Sequence, residues 1–254
     1  MQLRKLNVLV CMGTLLATMA HWANAGEVNA AVAANFTTPV QRIVELFQKE
    51  SGHTVKLSFG SSGKFTAQIK EGAPFDVFLS ADEKNPKLLE QEGLAVEGSR
   101  FIYAFGKLVL WSAQPNLVDA KGEVLRKGGY NKIAYAEPKL APYGVAAKET
   151  LEELGLWNTV QGKLVTGESI TQAYQFAATG NADLAFIALS QITKDGKVTE
   201  GSWWMVPAHM YNPIKQSAVL LTAAPDKVAA RAFLAFLKSE KAVAIIRTYG
   251  YELP

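Results

Sequence analysis

The sequence predicts an α/β protein of two lobes, each a mixed, mostly parallel sheet flanked by helices, with a ligand cleft between them. Three observations predict it. After a leader, the chain alternates apolar strands and amphipathic helices in a βαβαβ series, the pattern of a parallel sheet covered by helices. A long β-rich passage, "SRFIYAFGKLVLWS", then leads into a second α/β series. The length of 254 residues also suits two lobes, because a single core stops growing near ~250 residues and units near ~100 are common.

The first 25 residues are read as a removable signal. "MQLRK" is charged, "LNVLVCMGTLLATMA" is apolar but shorter than the ~20 residues of a membrane span, and "HWANA" ends in small residues, so cleavage is expected after Ala25. The mature chain is then exported. Its one cysteine, Cys11, leaves with the leader, and Val10 before it does not suit a lipoprotein signal. Disulfides, thiolate metal sites and cysteine nucleophiles are thereby excluded from the mature protein. Of 26 basic and 23 acidic residues the leader removes Arg4 and Lys5, leaving 24 against 23, with no basic footprint for nucleic acid.

"EVNAAVAANF" reads as a buried strand, and "TTPVQRIVELFQKESG" as a helix. The helix has Thr38 as cap, Pro39 at its first position, Val40, Ile43, Val44 and Phe47 on one face, and Gly52 past its end. "TVKLSF" alternates as a strand, "SGKFTAQIKEG" is a short helix stopped at Gly72, "FDVFLSA" is a strand buried on both faces, and "NPKLLEQEG" is a third helix. Beyond the β-rich passage the second series runs through helix "DAKGEVLRKGG", strand "KIAYAEP", helix "YGVAAKETLEELG", strand "GKLVTG", helix "SITQAYQFAATG" and strand "DLAFIAL". "SWWMVP" and "QSAVLLTAA" are β-like, and the remainder is two helices expected to return to the first lobe across a hinge of two strand crossings. The expected division is 26–105 plus about 218–254 for lobe I, and about 106–217 for lobe II.

The stretch "FGSSGKF" poses the chemical question. A P-loop needs four residues between its glycine and the Gly-Lys pair, but only Ser61 and Ser62 separate Gly60 from Gly63, and Phe65 follows Lys64. A nucleophile elbow needs glycine at the fifth position, which Lys64 occupies. The mature histidines, His53 and His209, are read as ordinary surface or packed residues rather than bases. What remains is a strand end opening a helix, where free N–H groups and the helix dipole favour an anion. The same context recurs in "AANFTTP", "LAPYGVA" and "GESITQA", two from each expected lobe. On spacing alone, anion sites and routine strand-to-helix turns stand as equal readings.

Four blocks carry a resemblance: "VAANFTTPVQRIVELFQKESGH", "SFGSSGKFTAQIKEGAPFDVFLSADEK", "APYGVAAKETLEELGLW" and "GESITQAYQFAATGNADLAFIALSQ". Through them, and continuously from about Val28 to the final "RTYGY", the chain resembles the periplasmic molybdate-binding proteins that feed molybdate ABC transporters. The resemblance implies a type II periplasmic-binding-protein fold: a monomer closing on molybdate or tungstate in the periplasm and delivering it to a membrane permease. It implies no cofactor, no catalysis, and molybdenum bound only as the oxyanion. It further implies donors from Asn35 and Ser62 in the first lobe, and from the amides of Tyr143 and Ile170 in the second, with Ala34 and Ser61 as additional lining. Some members place Thr or Ser at the positions of Ala34 or Asn35, and a tyrosine at that of Ala188.

The residues agree with a donors-only shell, since molybdate carries no proton at neutral pH and the four segments supply amides, hydroxyls and the Asn35 side chain. Lys64 is expected to be solvated, and Glu168 to be a surface partner of a helix dipole. Two rival classes differ in their demands. A receptor for phosphate needs a carboxylate acceptor and one for ferric ion a Tyr, His and carboxylate cluster, whereas sulfate is separated from molybdate by size alone. A secreted hydrolase using Ser61 or Ser62 needs a base that the sequence does not place.

Overall fold

The computed structural model describes residues 25–224 and 227–254. The expected leader, apart from Ala25, lies outside the described residues.

The first sheet comprises β1 (Glu27–Ala33), β2 (Thr54–Gly60), β3 (Val77–Ser80), β4 (Phe101–Gly106) and the late strand β12 (Ile214–Leu220), in the order β2-β1-β3-β12-β4. The second comprises β5 (Leu108–Ser112), β6 (Ile133–Ala136), β7 (Leu164–Gly167), β8 (Leu184–Ala188) and β11 (Ser202–Met205), in the order β11-β5-β8-β6-β7. A small hairpin of β9 (Thr193–Lys194) and β10 (Lys197–Val198) stands apart. Each large sheet is mixed: β1 runs parallel to β2 and β3, and β6 parallel to β7 and β8, while β12, β5 and β11 pair antiparallel. β1, β3, β6 and β8 are fully or almost fully buried, as strands covered on both faces must be.

Helices α1 (Thr37–Ser51), α2 (Ser62–Lys70) and α3 (Lys84–Gln91) flank the first sheet. α1 buries Val40, Ile43, Val44 and Phe47, and ends on Gly52 in the left-handed region at φ 72°. Its start differs from expectation. A 3-10 turn, Ala34–Phe36, runs straight into the helix, so Thr38 lies inside the first turn, and the Thr37 hydroxyl donates back to the Ala34 carbonyl at 2.8 Å. The last two helices, α8 (Lys227–Leu237) and α9 (Glu240–Thr248), return to the first lobe, where Phe233, Leu237 and Ile246 join Val28, Val32 and Phe47 in one core. Each such fully buried side chain contributes about 1.5–3 kcal/mol of transfer free energy.

The second sheet is covered by α4 (Val124–Lys127), α5 (Pro142–Glu153), α6 (Trp157–Val160) and α7 (Ile170–Ala178). The helix expected over "DAKGEVLRKGG" shrinks to the single turn α4. The Asp119 carboxylate accepts the N–H groups of Lys121, Glu123 and Val124, and Gly122 at φ 70° interrupts the backbone.

The chain passes between sheets twice, at Lys107 between β4 and β5, and over 206–213 between β11 and β12. Both crossings are tied down: the Leu108 N–H donates to the Tyr211 hydroxyl at 3.2 Å, and Asn212 donates its N–H and its Nδ2 to the Glu149 carboxylate at 2.8 and 2.7 Å.

Candidate functional site

Four strand ends converge between the lobes. β1 runs into the 3-10 turn before α1, β2 into α2, β6 leads through a short loop into α5, and β7 into α7. Their starts bring Ala34, Asn35, Ser61, Ser62, Tyr143 and Ile170 onto one small, closed-down cavity of about 10 Å3. The positions singled out in the sequence therefore line a single cavity, at the strand ends where α/β sheets present ligands.

The hydrogen-bond accounting shows what faces that space. The first N–H groups of a helix have no intrahelical acceptor, which leaves those of Ser62, Tyr143 and Ile170, at the first or second positions of their helices, free of helical duty. Pro142 supplies the first position of α5 and carries no N–H to satisfy. Ser169 caps α7, its hydroxyl accepting the Gln172 N–H at 3.3 Å, and Gln191 Nε2 holds the Ile170 carbonyl from behind at 3.2 Å.

The two serines differ. Ser62 Oγ accepts the Ala81 N–H at 3.0 Å and keeps its own proton to give. Ser61 caps α2 with extended backbone but makes no side-chain cap bond, and its buried Oγ has no partner in the protein. A buried hydroxyl left so is destabilising unless a ligand meets it.

Asn35 is used otherwise than its residue type suggests. Its Nδ2 spends both protons within the protein, on Gln216 Oε1 and on the Tyr251 hydroxyl, each at 2.9 Å. The side-chain amide expected to donate into the cavity is thus turned toward the hinge, and the backbone at Asn35 is what remains on the cavity side. The Tyr143 phenol is likewise withdrawn, accepting Gln216 Nε2 at 3.2 Å. Burial lifts the phenols of Tyr103 and Tyr143 well above the ordinary tyrosine value, and that of Tyr251 to about 12, so this cluster is neutral at physiological pH.

The lobes touch around the site. The Gly63 N–H donates to the Leu140 carbonyl at 2.8 Å, and a Cβ on Gly63 would sit 3.0 Å from that oxygen, a contact tight enough that the two segments would have to move apart slightly to admit it. Thr171 Oγ1 reaches the Ala34 carbonyl at 3.4 Å and Ser190 Oγ the Asn35 carbonyl at 2.8 Å. No charged side chain lines the cavity. Lys64 and Glu168, expected as separate surface groups, face each other at 3.5 Å in an adjoining pocket that shares Gly60 and Ser61 with the cavity, with side chains 55% and 72% exposed, where an ion pair contributes little.

The donors gathered here suit an anion, and neither His53 nor His209 lines the cavity. The His53 imidazole accepts the Gly26 N–H at the start of the first lobe, and His209 is exposed beside Glu149 and Asn212. Among the described residues no cluster of His, Cys, Asp and Glu could hold a bare metal ion. Sequence reasoning missed the Gly63–Leu140 contact, the Lys64–Glu168 pairing and the role of Gln216. For the last a signal existed, a long amide side chain at the opening of the β-like run "QSAVLLTAA".

Known proteins resemble the chain over most of its length. The family model described as bacterial extracellular solute-binding protein matches residues 28–252. The molybdate-binding protein ModA of Azotobacter vinelandii is 53% identical over 246 residues, covering 97% of each chain. That of Rhodobacter capsulatus is 57% identical over 230 residues, covering 90% of this chain and 89% of its own. The solved structure of the Azotobacter vinelandii periplasmic molybdate-binding protein superposes with a TM-score of 0.88 at 45% identity, covering 89% of this chain and 99% of that one.

Proposed function

The chain belongs to the bacterial extracellular solute-binding proteins, with the type II periplasmic-binding-protein fold, and we propose that it captures molybdate in the periplasm and delivers it to the membrane permease of an ABC transporter. Relatives more than half identical over nearly the whole chain carry the molybdate-binding name. The observation that carries the reading in this chain is the buried, partnerless Ser61 hydroxyl on a cavity ringed by helix-start N–H groups and free of carboxylates.

In this reading the oxyanion receives the hydroxyls of Ser61 and Ser62 and main-chain N–H groups at Ala34, Asn35, Ser62, Tyr143 and Ile170. No carboxylate faces it, which suits an ion with no proton to give; a protonated phosphate would find only serine hydroxyl oxygens as acceptors. Four helix starts, each with a partial positive charge near +0.5, balance the dianion without a buried cation. Tungstate, alike in charge and shape, is a second ligand. The protein works as a monomer, its leader removed after Ala25, with lobe I formed by 26–105 and the C-terminal segment from about 218, and lobe II by the chain between.

Isothermal titration of the leader-free protein against molybdate, tungstate, sulfate and phosphate tests the proposal. Tight molybdate binding supports it; a preference for sulfate, or silence toward every oxyanion, overturns it.

A further inference from the structure

Gln216 occupies the middle of the molecule with no exposed surface, on the strand that returns from the second crossing. Its Oε1 accepts Asn35 Nδ2 and the Tyr103 hydroxyl, each at 2.9 Å, and its Nε2 donates to the Tyr143 hydroxyl at 3.2 Å. Asn35 follows β1, Tyr103 and Gln216 lie on β4 and β12, and Tyr251 follows α9, so the first sheet and the segment ending on it carry a ready-made polar seat. Two hydroxyls of the second lobe dock on it: Tyr143 on Gln216, and Ser190, which accepts from Tyr251 at 2.9 Å and donates to the Asn35 carbonyl.

Two independent features fit the backbone to this contact. The pairing of β12 with β4 slips between Gln216 and Ser217, leaving Tyr103 unpaired as a bulge whose side chain meets Gln216. At the first crossing Gly106 has no Cβ, and one placed there would strike both the Tyr143 hydroxyl and Gln216 Nε2. The same two residues that Gln216 joins, Asn35 and Tyr143, present their backbones to the anion cavity from opposite lobes.

We infer that Gln216 is a positioning residue that fixes the spacing between the Asn35 and Tyr143 donors on closure, and so sets the size of oxyanion the cavity accepts. This inference rests on the molybdate reading. The hydrogen bonds behind the cavity hold the lobes at one separation, so sulfate meets donors held too far away. Without them the separation is no longer fixed, so the cavity adjusts to sulfate and loses its fit to molybdate.

Competition calorimetry with molybdate and sulfate on the wild type, Gln216→Met, Tyr143→Phe and the double variant tests this, with apo melting temperatures measured beside it. Each single variant should narrow the molybdate-to-sulfate preference about tenfold, the worth of roughly one to two net hydrogen bonds, and the double should be no worse than either. A purely structural role lowers the melting temperature and both affinities alike. An unchanged ratio, or additive losses in the double variant, overturns the inference. Should Gln216→Met fail to fold, Tyr143→Phe, which keeps its backbone N–H, decides the ratio alone. Wild-type protein that ignores molybdate overturns the functional reading instead, a result visible before any variant is made.

Discussion

Ser61 and Ser62 are neighbours in the chain with opposite situations: the Ser62 hydroxyl accepts the Ala81 N–H at 3.0 Å, while the Ser61 hydroxyl is buried without a partner. The two alanine variants should therefore separate. Ser62→Ala removes an anion donor and also orphans the buried Ala81 amide, so it should lower both molybdate affinity and the apo melting temperature. Ser61→Ala removes a desolvated hydroxyl that only the ligand satisfies. It should weaken binding by about 1.5 to 3 kcal/mol and leave the apo protein as stable or slightly more so. Calorimetry paired with thermal melts checks this, and an unchanged dissociation constant in Ser61→Ala removes that hydroxyl from the site.

Closure is expected to follow binding, because donors from both lobes can reach one ion only when the cleft is shut. Small-angle scattering should record a smaller radius of gyration at saturating molybdate. Gly63→Ala should hinder that change, since the added carbon would press on the Leu140 carbonyl. Its apo melting temperature should stay close to wild type and its affinity should fall. Unimpaired closure in this variant would mean the Gly63–Leu140 contact does not gate the cleft.

Molybdate and tungstate should bind alike, and both far more tightly than sulfate. Main-chain donors on packed helix starts cannot follow an ion that draws its oxygens inward, and hydrogen bonds stretched beyond ~3.2 Å weaken steeply. Sulfate displacing molybdate at comparable concentration in a competition titration would contradict the assignment.

Alkaline pH should loosen the fold through Tyr251. Burial raises its phenol from 10.0 to about 12, so the native state holds a proton that the unfolded chain has already lost in that interval. The stabilisation is complete below the unfolded value and disappears as pH rises through the folded one. Melting temperatures taken from pH 9 to pH 12 should fall less steeply for Tyr251→Phe than for the wild type. Parallel slopes would show that this phenol is not linked to folding.

Elements whose apolar residues keep a helical or strand period were legible in the sequence. α1 was readable from Val40, Ile43, Val44 and Phe47 with Gly52 behind them, and the same spacing finds its partners in the core. The segment at 119–127 was not, because the side chain of Asp119 takes three amides that a longer helix would have used. The site was legible as a set of helix starts, since strand-to-helix punctuation is local. The direction of each side chain was not. Asn35 points away from the cavity because of Gln216, 181 residues distant, and no local pattern carries that information.

The contact of Gly63 with Leu140 and the withdrawn side chains of Asn35 and Tyr143 mean that the cavity is faced chiefly by main chain. Ala34 and Ile170, two of its six singled-out positions, have hydrocarbon side chains that no inspection of residue chemistry would flag as ion ligands. What descends from copy to copy of such a gene is a set of loop trajectories. Hydrocarbon positions can drift among shapes that leave those trajectories intact, while a change far from the cavity that bends one loop can abolish uptake. Searches for anion carriers by residue identity will pass over proteins built this way, and searches by backbone geometry will find them.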